Sequence, residues 1–384
     1  MAKTLLRTKV CDILGIEYPV LLAGMGPTAG GGRGSAATAP LVAAVSNAGG
    51  LGVLGGAGFN PDALREEIGK IRSQTDKPFG VDLLMPSNAV RVEAPANGSG
   101  ADWRAQVPQE YWDAIATLKQ QFGIPETEAP RTAGGARWRV EDQVEVVLTE
   151  RVPVLASGLG NPAPYVPRCR ELGITVIALV GNTKNARRVA EGGADIVVAQ
   201  GTEAGGHTGR IGTLALVPQV VDAVAPVPVV AAGGIADGRG LAAALMLGAE
   251  GAWIGTRFVA SREWRGGEWA KERVVHSGTD DTVLTHAYDL AMQARFPAGI
   301  GDRVLRNEFT AAWHDRDAEV ATQREELAPQ IVAALRAEDS RVAPIRAGNA
   351  AGLIHAVEPA GDILRRIVAE AEQILRERPA VVLR

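Results

Sequence analysis

The feature that most constrains this chain is a recurring alternation. Short apolar runs, nearly continuous rather than alternating with polar residues, are separated by alanine-rich stretches of helical character. Tyr18–Ala23, Leu51–Leu54, Phe79–Leu84, Val152–Ser157, Ile174–Val180, Asp195–Gln200, Val227–Ala231 and Gly251–Ile254 read as strands. Runs such as VPVLAS and DIVVAQ have no polar face, the signature of strands covered on both sides. Pro40–Ala48, Pro61–Ser73, Pro164–Leu172, Thr183–Glu191, Leu214–Val224 and Asp237–Leu247 read as the intervening helices. Repeated β-helix-β units imply a parallel sheet with right-handed crossovers. Eight strands point to a closed (β/α)8 TIM barrel, with a doubly wound open sheet as the alternative.

Two stretches break the repeat. Residues 85–150 read as an insertion after the third strand, with helical character near Gln109–Gln121 and Glu141–Leu148. Residues 261–384 read as a helical C-terminal extension packing on a barrel of residues 1–260. Its last helix is marked by Ile363, Leu364, Ile367, Val368, Ala371, Ile374 and Leu375, which fall on one helical face. Leu305–Ala337 carries mixed charge and reads as a solvated helical face.

Composition narrows the function. With 40 basic and 44 acidic residues, the net charge is −4. That gives no reason to expect nucleic acid as a partner. Cys11 and Cys169 are the two cysteines, too few for a disulfide framework or a thiolate metal site. No apolar run reaches transmembrane length, and Asp12 and Glu17 interrupt any signal-like core near the start. A cytoplasmic protein, without membrane association and with homodimerisation open, is the expectation.

Glycine, at 46 of 384 residues, concentrates where motifs fall. Gly32-x-Gly34-x-x-Ala37 resembles a dinucleotide fingerprint, but the next strand ends in Leu54-Gly55-Gly56-Ala57, without the acid that would hold a ribose. A flexible glycine loop accounts for it. Two further strand ends carry Gly233-Gly234 and Gly255-Thr256, one βα unit apart. Barrels commonly grip phosphate at this pair of turns, because glycine lets backbone N–H groups approach an anion. Serving turns only is the alternative.

After the sixth strand comes Gln200-Gly201-Thr202-Glu203-Ala204-Gly205-Gly206-His207-Thr208-Gly209. A histidine among glycines has no helix face to pack on. Proton transfer by His207 and a structural turn are the two readings. Gln200 can offer both donor and acceptor to a ring edge. Glu203 reads as a local cap or ion pair rather than a catalyst. His276, His286, His314 and His355 are isolated, and no spacing indicates a metal site.

The stretches CDILGIEYPVLLAGM, LVAAVSNAGGLGVLG, FGVDLLMP, GADIVVAQGTEAGGHTG and AAGGIADGRG with GTRF resemble the nitronate monooxygenase family, formerly 2-nitropropane dioxygenases. Flavin-dependent enoyl-acyl-carrier-protein reductases look similar over the same motifs. The resemblance implies FMN across the mouth of a TIM barrel, with His207 as the active-site histidine. It further implies flavin contacts from Gly24, Met25, Asp82, Lys184, Gln200, Gly205 and Gly206, and a phosphate grip from Gly233, Gly234, Gly255 and Thr256. The implied reaction oxidises nitronates or nitroalkanes with oxygen to carbonyl compounds and nitrite. Reduction of an enoyl thioester by NAD(P)H is the alternative, and a flavin-free barrel acting on a phosphorylated metabolite is a third reading. Two departures stand out. Gly24 replaces the family's common proline, and Asp82 replaces a frequent asparagine.

Overall fold

A computed structural model describes residues 6–26, 36–85, 109–121, 139–294, 296–297 and 299–383. The glycines of the fingerprint-like 32–37 segment lie outside these residues. Eight parallel strands form the central sheet: β1 (Val20–Leu22), β2 (Gly52–Gly55), β3 (Phe79–Met85), β4 (Val154–Gly160), β5 (Thr175–Val180), β6 (Ile196–Gln200), β8 (Val229–Ala232) and β9 (Ala252–Ile254). Each expected strand is present. Pairing runs β1-β9-β8-β6-β5-β4-β3-β2, and the ring closes where Leu22 N donates to Leu51 O and Leu51 N to Val20 O. That closure rejects the open sheet.

Side-chain alternation divides the core in two. Leu21, Val53, Val154, Ile177, Ile196, Val198, Val230 and Trp253 fill the lumen, which α1 (Lys9–Leu14) joins through Val10, Cys11 and Leu14. Their neighbours Val20, Leu54, Val81, Leu155, Val176, Val197 and Val229 face outward against the helices. A strand buried on both faces has no polar position to spare, hence the continuous apolar runs.

The covering helices are α2 (Ala39–Asn47), α3 (Pro61–Arg72), α5 (Val140–Thr149), α6 (Val166–Glu171), α7 (Thr183–Glu191), α8 (Thr213–Val224) and α9 (Gly238–Met246). Their starts follow local chemistry. Asn60 accepts a hydrogen bond from Ala63 N ahead of Pro61, Asn182 accepts from Asn185 N, and Asp237 accepts from Arg239 N and Gly240 N. Helix α4 (Gln109–Gln121) belongs to a separate compact unit, residues 86–137. Helix α5 does not. It packs on α3 and β3 and buries Val144, Val147 and Leu148 in the outer core, so it is the third unit's own covering helix.

The C-terminal region also differs from a purely helical extension. After α10 (Thr256–Val259) and α11 (Glu268–Val275) come β10 (Thr282–Thr285), α12 (Ala287–Ala291) and β11 (Gly301–Leu305). Strands β10, β11 and the short β7 (Gly206–Thr208) form an antiparallel sheet with β11 in the middle. Helices α13 (Glu308–Trp313) and α14 (Asp317–Arg336) follow. The charged α14 still buries Val320, Leu327 and Ile331 in a core of its own with Tyr288 and Phe309.

The last helix, α15 (Ala360–Val382), packs on α2 and α9. It buries Ile363, Leu364, Ile367 and Val368, gross apolar stabilisation of roughly 6–12 kcal/mol at about 1.5–3 kcal/mol per side chain. It therefore closes the helical ring of the barrel, and a boundary at residue 260 cuts α15 from the two helices it covers. Among the described residues, no helix is long and apolar enough to cross a membrane.

Candidate active site

The C-terminal ends of the strands place the expected residues at one end of the barrel. Gly24 and Met25 follow β1, Asp82 lies in β3, Gln200 ends β6, Gly233-Gly234 follow β8 and Gly255-Thr256 follow β9. Lys184 sits in the first turn of α7 with its side chain exposed. By the strand alternation, Asp82 and Gln200 share the lumen-facing set of their strands, at the level where the lumen opens.

Gly233 and Gly234 adopt φ values of 98° and 75°, a left-handed region that side-chain-bearing residues rarely enter. Outside the strand ladders, the backbone hydrogen bonds of the described residues include none donated by Gly233, Gly234, Gly255 or Thr256. Such free N–H groups at two adjacent strand ends suit an anion. Thr256 Oγ1 accepts from Gly348 N at 2.9 Å and keeps its own proton to donate.

Asp82 is buried, and its Oδ1 has no hydrogen-bond partner. Burial pushes its carboxyl up to about 7, partly offset by the backbone N–H of Gly158. The two departures from the family pattern touch. A Cβ at position 24 would fall 2.4 Å from Asp82 Cβ and 2.6 Å from its Oδ2, so residue 24 has no side chain to give. An orphaned polar atom at the mouth calls for a ligand partner. With the unspent N–H groups opposite, the residues present fit a flat polar ring with a phosphate tail.

His207 is not in a turn. It occupies β7, its Cα opposite Asp302 of β11. Its Nε2 lies 3.0 Å from both carboxylate oxygens of Asp289, which α12 supplies. Phe296 stacks on the imidazole, ring centroids 3.5 Å apart and planes 13° from parallel. Asp302, fully buried, pairs with Arg346 at 2.9 Å. None of these four partners was apparent in the sequence. Asp289 is 82 residues from His207, and no local pattern marks it.

The approach to His207 is braced. Glu203 accepts from Thr213 N at 2.9 and 3.0 Å and from Thr213 Oγ1 at 2.8 Å, capping α8 as expected. Arg303 Nε donates to Thr202 O at 2.7 Å. Gly205 meets another glycine-bearing segment: a Cβ there would lie 2.8 Å from Ala347 and Gly348 backbone atoms, and one at Gly348 would lie 2.2 Å from Glu203 O. This crossing of two main chains accounts for glycine at 205, where the resemblance implies a flavin contact. Gly206 needs its φ of 76° to enter β7. The thiols take no part: burial raises Cys11, and pushes Cys169 to about 11.

The fold is a TIM barrel whose mouth combines two anion-ready glycine turns, a buried orphaned carboxyl and a carboxylate-bound histidine, and its family and structural neighbours make it an oxidoreductase of the flavin-barrel class. The nitronate monooxygenase family model matches residues 7–370, and the chain belongs to that family. A Staphylococcus aureus protein named probable nitronate monooxygenase is 30% identical over 384 residues, covering 96% of this chain and 99% of its own. The structure of FabK from Thermotoga maritima aligns with a TM-score of 0.75 at 34% identity, over 98% of this chain and 99% of that one. Nitroalkane oxidase from Streptomyces ansochromogenes aligns with a TM-score of 0.73 at 29% identity, over 97% and 99%.

Proposed function

We propose that this protein is an FMN-dependent enzyme that oxidises alkyl nitronates, and nitroalkanes through their nitronates, to carbonyl compounds and nitrite with oxygen as acceptor. The observation that carries this reading is the His207–Asp289 pair at the mouth that holds the two glycine turns. Gly233, Gly234, Gly255 and Thr256 would hold the FMN phosphate, and Asp82 and Gln200 would meet its ring. Bound FMN supplies the electron acceptor; the protein supplies position and proton transfer.

For a neutral nitroalkane, His207 removes the proton α to the nitro group. The C–H bond breaks, its electron pair forms the C=N bond of the nitronate, and the charge moves onto the nitro oxygens. A base held in place by a carboxylate suits this step. Phe296 covers one imidazole face and limits water there.

Likeness to FabK supports a second reading, reduction of an enoyl thioester by NAD(P)H, with His207 returning a proton. One experiment separates them. Purified protein loaded with FMN is titrated anaerobically with a nitronate, a neutral nitroalkane and NADPH. Bleaching by nitronate and not by NADPH supports the first reading; rapid bleaching by NADPH with turnover of a crotonyl thioester supports the second. Failure to take up FMN would remove both.

A further inference from the structure

The hydrogen bonding around His207 is lopsided. Nε2 faces both oxygens of Asp289, while Nδ1 takes no hydrogen bond among the described residues. An ionised carboxylate only accepts, so the neutral imidazole must carry its proton on Nε2. Phe296 lies flat on the ring, which resists rotation and leaves the in-plane lone pair of Nδ1 uncovered.

A second carboxylate complicates that arrangement. Asp302 stands opposite His207 across the β7–β11 ladder, and ligand atoms of His207, Asp289 and Asp302 lie within 4.8 Å of one another. Two free carboxylates would compete for the one Nε2–H. Arg346 meets Asp302 at two points, Nε at 3.1 Å from Oδ1 and a terminal nitrogen at 2.9 Å from Oδ2. The remaining ionisable neighbours are engaged elsewhere. Tyr288 donates to Val342 O, Glu203 caps α8, Arg303 holds Thr202, and His286 lies against Gly301. Arg210 is exposed.

We infer that Asp289 is a positioning residue that fixes His207 as the Nε2–H tautomer, making Nδ1 the atom that receives the substrate's proton, and that Arg346, by pairing with Asp302, leaves Asp289 to orient the ring. This rests on the base role given to His207 above. In chemical terms, the α-carbon's proton passes to Nδ1, its electron pair stays with the nitronate, and the proton on Nε2 stays there, donated to Asp289 throughout.

The test has a readout independent of turnover. With only five histidines in the chain, the protein with nitrogen-labelled histidine can be followed by isotope-edited NMR across pH, using His207→Asn to assign the signal. The expected neutral form carries hydrogen on Nε2 and none on Nδ1. Asp289→Asn should let the Nδ1–H tautomer appear beside Nε2–H, because an amide can donate as well as accept, and Arg346→Met, which frees Asp302 to compete for Nε2–H, should move the ring-nitrogen signals. In FMN-loaded protein, Asp289→Asn should reduce the ratio of nitroalkane to nitronate bleaching rates about tenfold. A neutral form protonated on Nδ1, or ring-nitrogen signals unmoved by both variants, overturns the inference. If the variants do not fold, the wild-type tautomer alone decides it. No reaction with nitroalkane or nitronate would defeat the proposed reaction, while the tautomer would still test the placement of the proton.

Discussion

The two sides of the barrel mouth are built on different plans. The side at β8 and β9 is main chain: two glycine-bearing turns whose N–H groups are left unspent. The side at His207 is made of side chains, and their partners Asp289, Phe296, Asp302 and Arg346 all come from residues beyond 280. An anion grip needs only backbone shape, which a local stretch can specify by itself. An oriented imidazole needs partner side chains at set distances, and those come from distant chain. One side is inherited with the barrel; the other is assembled onto it.

Substitutions can separate the two. His207→Asn should slow bleaching by a neutral nitroalkane about 100-fold or more, the usual range for a lost general base, while FMN uptake followed by fluorescence quenching persists. Comparable loss of both would show that the two sides act as one. Asp82 belongs to neither side, and its effect appears in stability. Its folded carboxyl titrates at about 7 against about 3.9 when unfolded. Between those values the unfolded chain ionises first, so the flavin-free protein should lose stability as pH rises from about 4 to about 7. The contribution of Asp82 has a slope on the order of 1.4 kcal/mol per pH unit inside that window, and Asp82→Asn removes this contribution. Denaturant melts at several pH values check this.

Gly348→Ala strikes the joint between the sides, where a methyl would meet Glu203 O. A destabilisation of about 1–3 kcal/mol is expected, with a lowered melting temperature and weaker nitroalkane bleaching. Gly234→Ala touches the main-chain side alone. A methyl there would make only ordinary contact with the Glu203 side chain, at 3.5 and 3.8 Å, so the strain is mainly that of a positive φ, about 1 kcal/mol, with FMN affinity down by about tenfold and the His207 signals unchanged. Should Gly348→Ala leave melting and bleaching untouched, the crossing does not couple the two sides.

The sequence discloses these regions unequally for the same reason. All eight strands were legible because burial on two faces leaves a local apolar run. Glu203 was legible as a local cap or ion pair because Thr213, whose N–H it accepts, follows within ten residues. The phosphate-type turns and His207 were legible as glycine-rich exceptions. Asp289 and Asp302 were not, since a buried acid in a short strand or helix looks like an ordinary surface acid until its partner is placed. Strands β10 and β11 were missed for a related reason: TVLT and GDRVL mix polar and apolar residues and are short. The contact between Gly24 and Asp82 shows the gain from geometry, since two separate oddities of sequence become one packing arrangement.

Helix α15 bears on how the molecule is made. Strand β1 pairs with β9, and α2 waits for a helix that starts at Ala360, so the earliest parts of the polypeptide find their neighbours last. During synthesis the nascent cylinder would leave the ribosome with an uncovered seam, and such distant contacts are slow to form. Cutting the chain before residue 360 should therefore yield a sticky, aggregation-prone product rather than a smaller enzyme.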